Sequence, residues 1–302
     1  MKNNFLFILW ILFCVNVFSQ ETDSTPDIIQ NIIEQISENS EEETDFSQLQ
    51  DDLQVFAENP INLNHASKEE LEQLHFLSDI QIENLLYYLY RFAPMYSIYE
   101  LQLVEGFDAE TIQNLLPFVK LVKDEEKQKF NLPYLLKKPK QEIYLQSRYT
   151  LEEKEGYAAS STNQYLGEPF YGMFKYRFQS RNRLMFGFTA EKDEGEPFWN
   201  NYHKGFDFYS AHLQINDLGK FKRIVLGDYR ASFGYGLVMN MNFGMGKSSY
   251  TLNVLPSASG LNKSSSTNEY NYFRGIGTTV RVGKFDISGF YSNNKIDGSF
   301  NE

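Results

Sequence analysis

The sequence predicts an α+β multidomain chain, in which a small all-α domain precedes an antiparallel transmembrane β-barrel that is incomplete. Three observations carry this reading. Apolar residues recur at helical spacing between residues 60 and 122, and they alternate with polar ones from Gln141 onward. The connections between the alternating segments run long and short in turn, which is the loop pattern of an outer-membrane barrel.

Residues 1–19, "MKNNFLFILWILFCVNVFS", place Lys2 before an apolar run from Phe5 to Phe13. The run is too short to span a bilayer and reads as a secretory signal peptide, with small Val17 and Ser19 directing cleavage after Ser19. The single cysteine, Cys14, lies within it, so the mature chain has no thiol for a disulfide, a nucleophile or a metal. No later window of about eighteen apolar residues predicts a helical span.

The net charge of −12 is unevenly placed. Residues 20–58 hold twelve acids and no Lys or Arg, and residues 59–122 carry a net −6, whereas residues 123–302 carry a net +5. The 20–58 segment, with "SENSEEETD", predicts an acidic flexible linker. Within it "DIIQNIIEQI" has the spacing of a short amphipathic helix that docks on the next domain.

The all-α domain is expected over residues 59–122. Ser67 and Glu70 have capping-box spacing, and Ile80, Ile82, Leu85, Leu86 and Leu89 predict a second helix stopped at Pro94. "SIYELQLV" opens a third helix, and "DAETIQNLLPFV" a fourth with Asp108 as N-cap. A second linker is expected over residues 123–140.

The barrel is expected over residues 141–302, with strands at about 141–153, 170–180, 183–193, 206–217, 220–231, 271–283 and 284–295. In "MFKYRFQ", Phe174, Tyr176 and Phe178 alternate with Lys175, Arg177 and Gln179; in "YSAHLQIN", Tyr209, Ala211, Leu213 and Ile215 alternate with Ser210, His212, Gln214 and Asn216. Apolar outside and polar inside is the barrel pattern, and it assigns Lys175, Arg177, Glu191 and Arg281 to the lumen. There they either set the selectivity of a pore or pair with one another. Seven strands leave an open edge, so the reading expects a fragment of a longer protein or closure by an oligomer. The glycines from Gly227 to Gly246 are expected to bend the 232–270 loop into or over the barrel mouth.

Residues Ile61 to Leu121 resemble the helix-hairpin-helix domain of the competence DNA-receptor family. The likeness rests on "INLNHASKEELEQL" for the opening, "YELQLVEGFDAETIQNL" for the second repeat, and Arg91, Phe92, Tyr99 and Leu101 between them. The resemblance implies DNA-phosphate contacts at two hairpins, which here fall at Ser78 and at Gly106 and Asp108. Phe76 and Ser78 stand where the family has glycines, and Asp108 would repel a phosphate. More loosely, "LGDYRASFGYGLVM", "YFRGIG" and "GFYSNNKID" resemble outer-membrane proteins of Bacteroidetes-type bacteria that carry this helical domain at the N-terminus.

These readings converge on an outer-membrane protein with its helical domain in the periplasm, acting in transport, secretion or surface assembly. Its expected partners are outer-membrane lipid and a periplasmic protein. The alternative is a DNA-uptake component, against which the acidic charge of the helical domain counts. His65, His75, His203 and His212 have no ligand spacing, and "GMGKS" lacks the spacing of a phosphate loop. No cofactor, metal or catalytic set is expected, and the chain is read as a non-enzyme.

Overall fold

Two helices, Thr25–Glu38 and Ser47–Glu58, lie within the acidic 20–58 segment expected to be a linker, and most of its "SENSEEETD" stretch falls outside the described residues. The structure, a computed structural model, describes residues 25–38, 46–122, 130–137, 139–152, 154–157, 164–199, 204–241 and 259–294. The signal peptide and His203 lie outside these residues, as does "GMGKS" with Gly244 and Gly246, whereas Gly227, Gly234 and Gly236 are described. Helix α1 (Thr25–Glu38) buries Ile29, Ile32 and Ile36 on one stripe, as the isoleucine spacing requires. Helix α2 (Ser47–Glu58) buries Leu49, Leu53 and Phe56 in the same core. Apolar spacing outweighs the acidity of this segment, because its carboxylates lie off the buried stripe and find partners elsewhere.

That core continues through α3 (Lys68–Glu72), α4 (Asp79–Phe92) and α5 (Ala109–Leu115), with Leu63, Leu71, Leu85, Leu101 and Phe118 fully buried. Ser67 and Ser78 each form a capping box, with Glu70 and Gln81 respectively, and Asp108 Oδ1 accepts from the Thr111 amide at 2.7 Å. The "SIYELQLV" stretch forms a 3-10 turn over Ile98–Leu103. Strand β1 (Ile61–Asn62) pairs in parallel with β2 (Val119–Lys120), joining the ends of the unit. The two asparagines of "INLNH" act as clamps. Asn62 bonds the Val122 amide and carbonyl, while Asn64 accepts from the Met95 amide at 2.7 Å and donates to its carbonyl at 3.1 Å.

Helix α6 (Leu132–Lys137) interrupts the second predicted linker, and its buried Leu135 carbonyl accepts from Ser180 Oγ at 2.6 Å. The rest is one antiparallel sheet with strands β3 (Lys140–Tyr149), β4 (Phe170–Ser180), β5 (Leu184–Lys192), β6 (Phe208–Leu218), β7 (Phe221–Ser232), β9 (Phe273–Val282) and β10 (Phe285–Ser292). They lie in the order β10-β9-β7-β6-β5-β4-β3, and a short eighth strand, β8 (Gly260–Lys263), pairs with the end of β7. The sheet is open: β3 and β10 are its edges, so the closed barrel of the sequence reading is not formed among the described residues.

The two faces are inverted relative to a soluble sheet. Ser210, His212, Gln214 and Asn216 of β6 are buried, while Tyr209 and Ala211, which alternate with them, are exposed. Gln179 and Thr189 are 3% and 2% exposed, against 77% for Leu145 and 59% for Ile287 on the other face. A row of glycines crosses the strands, with Gly187 beside His212, His212 beside Gly227, and Gly227 beside Gly275. A Cβ on Gly227 would meet the Ala211 carbonyl oxygen at 2.1 Å, and one on Gly275 would meet that of Tyr291 at 2.2 Å. The row thus marks where neighbouring backbones approach too closely for a side chain.

Candidate functional site

The polar face of the sheet meets the acidic helix α2, and their contact is a dense seam of charge. Lys175 Nζ of β4 lies 2.5 Å from Asp51 Oδ2 and donates to the Ser265 carbonyl at 3.1 Å. Two residues along, Arg177 reaches Asp51 at 3.7 Å and Glu58 at 3.6 Å, and is bound tightly to Glu142 of β3. Lys140 bridges Glu58 and Glu142 at 2.5 and 3.1 Å. Asp52 turns to the other side, to Arg230 of β7 at 2.8 Å and Lys263 of β8 at 3.7 Å. Period-2 alternation puts Lys175 and Arg177 on the same face of β4, and helical geometry fans Asp51 and Asp52 apart. One helix therefore neutralises cations from four strands.

Burial raises the cost of ionising Asp51, but Lys175, Lys263 and Arg177 outweigh it and hold its carboxyl below the ordinary range. His75 lies on the same seam. It takes a left-handed backbone conformation, φ 61°, at the turn where the resemblance expects glycine. Desolvation lowers its pKa to about 4, Asp52 opposing and Arg230 adding to the effect. A cavity of about 80 Å³ remains, lined by Asp52, Glu70, Gln73, Asn182, Arg223 and Lys263 among others. The Arg223 guanidinium donates there to the carbonyls of Ser259 and Leu261 at 3.1 and 2.6 Å.

Of the four inward residues predicted from sequence, the structure brings Lys175 and Arg177 together at the seam. Their partners are carboxylates of α2 and β3 rather than one another. Glu191 shares the polar face but accepts from Tyr171 Oη at 2.7 Å near the far end of β5. Arg281 stands apart, half exposed, pairing with Asp286 across the β9–β10 hairpin at 3.1 Å. The three hairpin positions serve local structure. Ser78 and Asp108 cap helices, and Gly106, at φ +84°, accepts at its carbonyl from Gln81 Nε2 at 2.8 Å.

Sequence reasoning missed Asp51, Asp52 and Glu58, Arg230 and Lys263. The available signals were the i, i+4, i+7 spacing of Leu49, Leu53 and Phe56, and the opposite net charges of the two ends of the chain. The long loop does return to the sheet: its 260–263 segment pairs with β7, and the Lys263 amide donates to Gln214 Oε1 at 2.7 Å. A separate carboxyl pair lies between β5 and β6. Asp207 beside Glu196, with partial burial, pushes the Glu196 carboxyl up to about 8. Among the described residues no group of three or more His, Cys, Asp or Glu could hold a metal ion.

No family model, curated protein or solved structure matches the chain.

Proposed function

We propose that the chain is an outer-membrane β-barrel protein whose helical unit rests against the polar inner wall, acting in transport, secretion or surface assembly through protein contacts. The observation that carries this is the inverted sheet. A row of large apolar side chains faces outward on strands of eight to twelve residues, and charged and amide side chains are buried behind them. In water each exposed leucine-sized side chain forgoes about 1.5–3 kcal/mol of burial, so such a face calls for an apolar environment. Hydrocarbon supplies one, and the polar face is then the lumen. Closure of the barrel requires strands beyond those described, because β3 and β10 would otherwise present unpaired backbone to lipid.

The test is cell fractionation with gel migration before and after heating. The full-length protein is expected in the outer-membrane fraction and to migrate differently when unheated. A protein that stays soluble and monomeric without detergent overturns the reading.

A DNA-uptake role remains as a second reading, supported by the resemblance of "INLNHASKEELEQL" to helix-hairpin-helix domains. The turn after this stretch carries His75, close to Asp52 and Arg230 of the seam. Phosphate contacts would make DNA binding fall steeply with salt. No binding to the full chain at low salt removes this reading.

A further inference from the structure

We infer that the basic part of the sheet's polar face is a binding site for an acidic peptide segment of a partner protein, which α2 occupies in cis as a stand-in. The inference goes beyond the proposed function and holds whether or not the sheet lies in a membrane. Lys140, Lys175, Arg177, Arg230 and Lys263 come from four strands and converge on one helix of twelve residues. Withdrawal of α2 removes Asp51, Asp52 and Glu58 and leaves these cations close together, with Glu142 as a remaining counter-charge. Like charges crowded in this way attract an anion strongly.

The seam is also built to exchange. Leu49 and Leu53 of α2 turn to the helical core, so what α2 offers the cations is mainly carboxylates. An ion-paired contact of this kind adds little net holding energy, because each charge regains water when the partners separate, so α2 can leave the sheet together with the helical core that buries Leu49 and Leu53. Its polar groups are incompletely satisfied. Gln179, 3% exposed, has neither side-chain nitrogen nor oxygen bonded. A ligand with a different side-chain pattern can reach the Gln179 amide, which α2 leaves unbonded. The occupant now seated is a helix about 10 Å across with acids at adjacent positions and two turns later, which favours a peptide over a polysaccharide.

The experiment uses the full chain in detergent with a fluorescein-labelled decamer of glutamate. Asp51→Asn, Asp52→Asn and Glu58→Gln together should raise its affinity at least tenfold at low salt. The gain should vanish in high salt and when Arg177→Gln and Arg230→Gln are added. No gain, or a gain that survives the arginine replacements, overturns the proposal. Binding of alginate without binding of the glutamate peptide overturns it in favour of a polysaccharide. A second measurement avoids the neutralised variant. A spin label at Gln50→Cys, with Cys14→Ser, should become more mobile when the peptide is added to the otherwise native chain. Unchanged mobility at about a hundred times the peptide concentration that saturates the triple variant also overturns the proposal.

Discussion

Arg177 holds carboxylates of two elements at once, Glu142 on β3 and Asp51 and Glu58 on α2. Replacing it with methionine leaves these charges short of a partner in a poorly hydrated place. Removing one member of a buried pair costs about 3–5 kcal/mol. Arg177→Met is therefore expected to lower the protection of α2 amides against hydrogen exchange by two orders of magnitude or more. Glu196 works in the opposite direction. Its folded pKa, about 8, lies above the ordinary 4.5, so the folded state holds the proton more tightly and stability falls as pH rises from 4.5 through 8. Glu196→Gln should flatten that decline in thermal melts taken across the same range. Ser67 and Asp108 were readable as caps from spacing alone, because caps are local, whereas Ser78 was read as a hairpin position and proves to cap a helix. Asn62 and Asn64 were not, because each bonds a backbone 31 or 60 residues away.

Helix α2 responds to acid as an element, through two groups that act in the same sense. His75 is held neutral, with a folded pKa of about 4 below the ordinary 6.5, so its contribution is complete above 6.5 and is lost as pH falls toward 4. Asp51 has a folded pKa below 3.8, so its contribution is present above 3.8 and is lost as pH falls further. The expected outcome is a helix that loosens in two stages, followed by the mobility of a label at position 50 between pH 7 and pH 3. A docked helix that stays equally immobile across that range would contradict both assignments. Elements with strict periodicity were legible in the sequence: β6 alternates residue by residue from Tyr209 to Asn216, and its boundaries fall within two residues of the prediction. Strand β8 escaped notice because "GLNK" offers one apolar residue, Leu261, and is placed by pairing with β7 rather than by its own pattern. The role of α2 was hidden for a related reason, since the value of an acid depends on a cation that sequence places more than a hundred residues away.

At the scale of the molecule, the helical unit and the sheet differ in the reach of their contacts. The unit's core is drawn from Ile29 to Val119, whereas the seam joins residues 124 and 178 positions apart, as Lys175 does with Asp51 and Arg230 with Asp52. Loop closure makes distant contacts late events in folding, and the N-terminal part of a chain is available first. The acidic helix is thus in place before the strands that carry its partners. Strands β3, β4, β7 and β8 each bring an inward cation to a carboxylate already in place, so the neighbouring cations of β3 and β4, and of β7 and β8, can be laid side by side without repelling one another. The seam described as a feature of the finished structure is, on this order of events, also a template for its assembly.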